Sequence, residues 1–161
     1  MIRYFGIILV FVFCMLIGRY YAESFKREYK KVCRACDMLF EIKAFISFDN
    51  MTFFTIIDSL YSKECYSCIL PISSLWQDKE SFLKALTKSK PFINDELNDR
   101  LERIFKLLGT TDKQTQIELI NNEMIYFEKQ ADILRGQLPV KQKLYTSLGL
   151  ASGALAAVIL L

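Results

Sequence analysis

Apolar residues are gathered at the two ends of the sequence. Residues 2–18 (IRYFGIILVFVFCMLIG) form one run in which Arg3 is the single charge. Residues 144–161 (LYTSLGLASGALAAVILL) form a second run with no charge. Every Asp and Glu lies between Glu23 and Asp132. A run of about 18 helical residues reaches roughly 27 Å, close to the ~30 Å hydrocarbon core of a bilayer. The pattern predicts two membrane anchors, 1–19 and 144–161, holding a soluble segment, 20–143.

Inside that segment the apolar period is helical. From Phe25, the positions Tyr29, Val32, Cys36 and Leu39 step by four and three, which makes a helical seam. No Gly or Pro interrupts the chain after Gly18, so one helix is expected to leave the membrane and run to about Ile46. Ser47, Phe48, Asp49 and Asn50 offer a turn. Asp49 or Asn50 is the expected cap of a second helix carrying Met51, Phe54, Ile57, Leu60 and Tyr61. Residues 65–78 are irregular, broken by Pro71 and by Ser73 and Ser74. A short helix around 80–88 follows, then Pro91.

Asn94 is the expected cap of the next helix. Leu97, Leu101, Ile104, Phe105 and Leu108 form its stripe, and Gly109 its stop. Thr111 and Gln114 fit a capping box. The helix after it carries Ile117, Ile120, Met124, Phe127, Ala131 and Leu134. Gly136 and Pro139 predict a kink or short break before the second anchor. The stripes read as core. The expected fold class is all-α: a helical bundle of antiparallel hairpins flanked by an N-terminal and a C-terminal transmembrane helix.

Composition removes function classes more than it adds them. The net charge is +3, mixed in sign, with no basic face or RNA-binding signature, so no nucleic acid is expected. Histidine is absent. That excludes Ser–His and Cys–His nucleophile pairs and His-based metalloprotease motifs. There is no Gly-rich phosphate loop. No acid, base and nucleophile set can be assembled, so neither an enzyme nor a cofactor is expected, and no catalytic residue is named.

Charge does orient the chain. Arg19, Lys26, Arg27, Lys30, Lys31 and Arg34 follow the first run; Arg135, Lys141 and Lys143 precede the second. Positive flanks stay in the cytoplasm, so the middle is expected there and both ends outside. Tyr4, Tyr20, Tyr21 and Tyr145 stand where interfacial aromatics belong. A cleaved signal peptide competes with the first anchor, since Met-Ile-Arg, an apolar stretch and small Ala22 resemble its three parts. Tyr20-Tyr21-Ala22 is a poor cleavage site, and the dense positive charge after it opposes export.

Three features carry candidate chemistry. Gly149, Gly153 and Ala157 put small residues on one face of the second anchor, where helices approach closely in lipid; their partner is the first anchor or another protein. Cys33 and Cys36, with Cys65 and Cys68, have the spacing of a four-thiolate zinc set, structural in role. Cys36 falls on the apolar seam, however, and no Gly or Pro stands beside these cysteines. Reduced thiols buried as small hydrophobes are the plainer reading, and no metal is assigned. Trp76 stands in the irregular stretch as a partner-binding anchor or as cover for a core edge. The alternating charges of 95–103 read as a solvated helix face.

From Leu97 onward the sequence resembles the stage III sporulation protein AB family. The resemblance rests on Leu107, Leu108 and Gly109, then Asp112 and Gln116, a long charged helix, and Lys143, Leu144 and Tyr145 before Leu148, Gly149 and an apolar tail. The first half matches through an anchor ending in Gly18, the basic helix after it, and Glu41 and Ile42 before a second amphipathic helix. Phe82 stands where the family often has Trp. Gly136 and Pro139 interrupt a helix that the family tends to run straight into the membrane, and the cysteine set is not a family feature.

The resemblance implies a two-pass membrane protein of the complex linking mother cell and forespore, with its soluble domain on the mother-cell side. It implies a domain similar to the cytosolic domains of the inner-membrane platform protein of type II secretion and type IV pilus systems. The implied partners are stage III sporulation protein AA, a secretion-type ATPase, other channel proteins and the membrane; a homo-oligomer is left open. The implied role is a scaffold. The alternative reading is an exported, tail-anchored helical domain carrying disulfides or a four-cysteine zinc site.

Overall fold

The computed structural model describes residues 2–49, 52–71 and 78–160. Among these every element is a helix and there is no strand, in line with the all-α expectation. Helix α1 covers Ile2–Ala44 and passes into a π-helical turn, Phe45–Asp49. α2 is Phe53–Tyr61, followed by a short 3-10 turn, Glu64–Tyr66. α3 is Lys79–Ser89, α4 is Asp95–Leu107 and α5 is Lys113–Leu160. Trp76 lies outside the described residues.

Several local expectations hold for the reasons given. α1 passes Gly18 unbroken. The Asn94 side chain accepts a hydrogen bond from the Glu96 amide at 3.0 Å and so caps α4. Leu97, Leu101, Ile104, Phe105 and Leu108 are all buried. Gly109 has φ +76°, the left-handed conformation that stops a helix and suits glycine.

Three expectations are corrected. α2 begins at Phe53 with Thr52 as its N-cap, because Asp49 is held in the π-helical turn that extends α1. Its buried face is Ile56, Ile57 and Leu60, with Phe54 exposed. Second, the cap of α5 is Asp112, not Thr111. The Asp112 carboxylate accepts from the Thr115 amide at 3.0 Å and from the Thr115 hydroxyl at 2.7 Å. Gln114 instead donates to Glu118 at 3.1 Å. Third, α5 runs through Gly136 and Pro139 without a break. Pro139 lacks the amide that would reach the Arg135 carbonyl, at a cost of ~3 kcal/mol confined to one turn. The packed stretches on either side, around buried Phe127 and Gly149, hold the helix despite it.

The chain divides into two compact units, and both long helices contribute to each. One unit is Met1–Tyr29 with Asp132–Leu161; the other is Lys30–Ala131. The core of the second unit draws on every helix. Val32, Leu39 and Ile42 come from α1, Ile56 and Leu60 from α2, Phe82 from α3, Phe105 from α4 and Phe127 from α5. Phe82 meets Phe105 edge-on at 5.1 Å, and Phe92 meets Phe127 at 5.8 Å. Such pairs contribute about 0.5–1.5 kcal/mol beyond the area they bury.

Polar side chains lock the connections of this unit. Asn98 clamps the segment between α3 and α4 from both sides. It accepts from the Phe92 amide at 3.0 Å and donates to the Phe92 carbonyl at 2.9 Å. Lys79 donates to the carbonyls of Lys106 and Leu108, at 2.8 and 2.6 Å, satisfying the C-terminal end of α4. Burial lowers the Lys79 pKa.

Candidate functional site

In the first unit, the starting stretch of α1 lies against the final stretch of α5 at backbone distance. A methyl carbon placed on Gly18 would stand 2.7 Å from the Tyr145 carbonyl oxygen and 3.1 Å from the Gly149 Cα. One placed on Gly149 would stand 3.0 Å from the Cys14 carbonyl oxygen and 3.2 Å from the Gly18 Cα. One on Gly153 would meet the Phe11 ring at 2.9 Å. Numbers fall along α1 as they rise along α5, so the two helices run in opposite directions. Ala157 is partly buried. Gly136 differs from the seam glycines, since nothing lies within 4 Å of where its methyl would be.

Aromatic rings continue this seam beyond the glycines. Tyr145 stacks on Tyr21 at 6.0 Å and on Phe25 at 5.5 Å. The Lys141 ammonium sits 4.2 Å from the centre of the Phe25 ring, and Arg27 sits 5.3 Å from that of Tyr20. Sequence reasoning named Gly149, Gly153 and Ala157 but missed their counterpart. The signal was there: Cys14, Gly18 and Ala22 are small residues at a spacing of four, matching Gly149, Gly153 and Ala157.

The start of α1 is also the apolar helix. Among the described residues one helix, over Ile8–Phe48, is long and apolar enough to cross a membrane. Its most apolar stretch has a mean hydropathy of 1.5 and is only 11% buried, which sets it apart from the core helix of a water-soluble protein. The run 144–161 falls in the last turns of α5, where Leu148, Leu150, Leu155 and Val158 are exposed.

In the second unit, the face read as solvated holds one exception. Arg100 pairs with Glu123 of α5 at 2.9 Å, and the Glu123 side chain is only 5% exposed. Arg100 also bonds Glu96 at 3.2 Å, and its guanidinium lies 3.6 Å from the centre of the Tyr126 ring. Hydrogen bonds from Tyr126 and then Arg100 lower the Glu96 pKa. These groups satisfy one another, and the arrangement joins α4 to α5.

The cysteines do not assemble into a metal site. All five are free, and among the described residues no group of three His, Cys, Asp or Glu side chains is placed to hold a metal ion. The four-cysteine zinc set and the paired disulfides of the exported alternative are therefore not formed. Cys36 lies on the seam of α1, and burial pushes its pKa to about 12. Cys68 instead accepts a hydrogen bond from Arg34 at 3.3 Å, while Cys65 is exposed.

The model of one protein family, stage III sporulation protein AB, matches residues 3–161, almost the whole chain. The chain belongs to this family. No curated protein and no solved structure matches it. Stage III sporulation protein AB is a structural or assembly family of sporulation and not a known enzyme family. The Gly18–Gly149 seam and the Arg100–Glu123 pair thus belong to a stage III sporulation protein of the AB family, in which they hold helices together.

Proposed function

We propose that this protein is a membrane-anchored scaffold of the channel complex between mother cell and forespore. The start of α1 and the end of α5 cross the membrane as an antiparallel pair, packed along Gly18, Gly149, Gly153 and Ala157. The helical domain between them lies in the mother-cell cytoplasm, where the basic flanks hold it. In this reading the domain serves as a secretion platform domain does and docks the secretion-type ATPase, stage III sporulation protein AA.

The family match over residues 3–161 is the observation that carries this reading. The close glycine approach supports two paired spans, since lipid provides no hydrophobic drive and helices there associate through small residues. In the second unit Phe48 is 85% exposed and Ile125 65%, so apolar side chains are there for the ATPase to cover.

The test is capture of the ATPase by the full-length protein from solubilised sporulating cells, with protease protection of the domain in intact cells. The domain is expected to co-purify with the ATPase and to resist protease added outside. Digestion from outside between Glu23 and Asp132 would overturn the topology. Absence of the ATPase from the capture would overturn the docking.

A further inference from the structure

The first unit holds a cleft of about 680 Å³ between the two seam helices. Met15 and Leu150 line its apolar part. Arg19, Lys26 and Lys143, with Glu23 and Gln142, line its polar part. The division follows the sequence. Met15 and Leu150 belong to the two apolar runs, and the charged residues come just beyond them. The Gly18–Tyr145 contact brings the two boundaries side by side, so one cleft spans the change from apolar to charged wall.

Charge distinguishes this cleft from the rest of the unit. Arg27 and Lys141 are engaged with the Tyr20 and Phe25 rings. Among the described residues the side chains of Arg19, Lys26 and Lys143 have no ion-pair or hydrogen-bond partner. Three cations face one carboxylate, Glu23, leaving two positive charges in excess. Clustered cations repel one another and favour an anion between them. The adjoining Met15 and Leu150 favour hydrocarbon. An ion alone would leave that wall unfilled, and an apolar molecule alone would leave the cations unpaired.

We infer that this cleft binds an anionic phospholipid of the surrounding bilayer, its phosphate against Arg19, Lys26 and Lys143 and an acyl chain along Met15 and Leu150. This rests on the reading of α1 and α5 as membrane spans. Basic pockets between spans on the cytoplasmic side are where anionic headgroups are held. The bound lipid would fill the open side of the seam and fix the depth of the helix pair in the cytoplasmic leaflet.

The test uses the full-length protein purified in a neutral detergent, with retained lipid measured by native mass spectrometry. Phosphatidylglycerol is expected to be retained in preference to phosphatidylcholine. Arg19→Gln with Lys143→Gln should reduce that preference about 25-fold, roughly fivefold for each cation removed. Lys141→Gln removes a cation that does not line the cleft, and should leave the preference unchanged. An equal loss in that variant would replace the site with diffuse surface attraction and overturn the inference. Displacement of the lipid by an equal concentration of inorganic phosphate would overturn the lipid as occupant. Flotation separates the two readings. A wild-type protein that floats equally with vesicles of either lipid, and retains neither preferentially, overturns this inference alone; one that floats with neither overturns the membrane spans as well.

Discussion

The Asp112 carboxylate closes the start of α5 with two hydrogen bonds from Thr115, and those bonds hold its pKa below the ordinary 3.8, the hydroxyl contributing most and the amide next. A lowered folded pKa means that the ionised form is the stabilising one. Its contribution is complete above the ordinary value and is lost as pH falls through the lowered one. Asp112→Ala is therefore expected to melt below the wild type at neutral pH, with the gap closing as the solution is acidified past the carboxylate range. Thermal melts across that range, followed by circular dichroism, check it. A gap that stays constant in acid would mean the carboxylate is not the cap. Cysteine reactivity gives a second residue-scale expectation. The thiolate is the reactive form, so Cys36, with its pKa near 12, should resist alkylation in the folded protein. Exposed Cys65 should react first. Peptide mapping after brief iodoacetamide treatment distinguishes them. Labelling of Cys36 at the same rate as Cys65 would show that the α1 seam is open.

At the scale of elements, the seam ranks its glycines by what each would strike. Gly18 and Gly149 face backbone atoms that cannot turn aside, whereas the nearest atom to Gly153 is in the Phe11 ring, which can rotate, with the Phe11 carbonyl oxygen farther off at 3.3 Å. Gly18→Ala should weaken the helix pair by about 1–3 kcal/mol, as overpacking does, Gly149→Ala slightly less and Gly153→Ala least. Gly136→Ala fills open space within a helix and should stabilise it by about 0.5–1 kcal/mol. Denaturation of the full-length protein in mixed micelles checks the order; a destabilising Gly136→Ala would refute the account of α5. The elements themselves were largely legible in the sequence. Stripes at a helical spacing, Asn94 as a cap and Gly109 as a stop are local signals, and α4 came out as read from them. The misreadings arose where two local signals competed. Thr111 and Asp112 both offer an oxygen at the start of α5, and the carboxylate adjacent to Thr115 won. Pro139 signals a break, but the packing on both sides of it overrides the local preference. The Arg100–Glu123 pair was illegible for another reason: it joins residues far apart in sequence, and neither half announces its partner. The Gly18–Gly149 approach was partly legible, since small residues recur every fourth position on both runs, but which of them meet is set by packing.

For the whole molecule, the decisive property is that two compact units are made from shared helices but have separate cores. The division at Tyr29 and Lys30, and at Ala131 and Asp132, is set by packing. The expected anchor limits 1–19 and 144–161 are read from charge, and the two divisions answer different questions. Because the buried residues of the second unit all lie within 30–131, that stretch should fold as a soluble fragment. Phe127 is fully buried against Phe92, so Phe127→Asp places an unpaired charge in its core. The substitution should cost at least about 4 kcal/mol, a large share of an ordinary domain's stability, and abolish the fragment's cooperative melt. Gly18→Leu acts in the other unit. It should leave the fragment and its proposed docking of the ATPase untouched, because residue 18 is outside it, while separating the paired helices of the full-length chain. In a spore-forming host with no second copy of the gene, both substitutions are expected to block forespore development after engulfment. They differ in where they fail. The Phe127→Asp protein should be degraded or aggregated, whereas the Gly18→Leu protein should persist, folded in its helical domain, without joining the channel complex. Normal spore yield with Gly18→Leu would show that the pairing of α1 and α5 is dispensable. Normal yield with Phe127→Asp, despite loss of the fold, would remove the helical domain from the function altogether, and with it the scaffold.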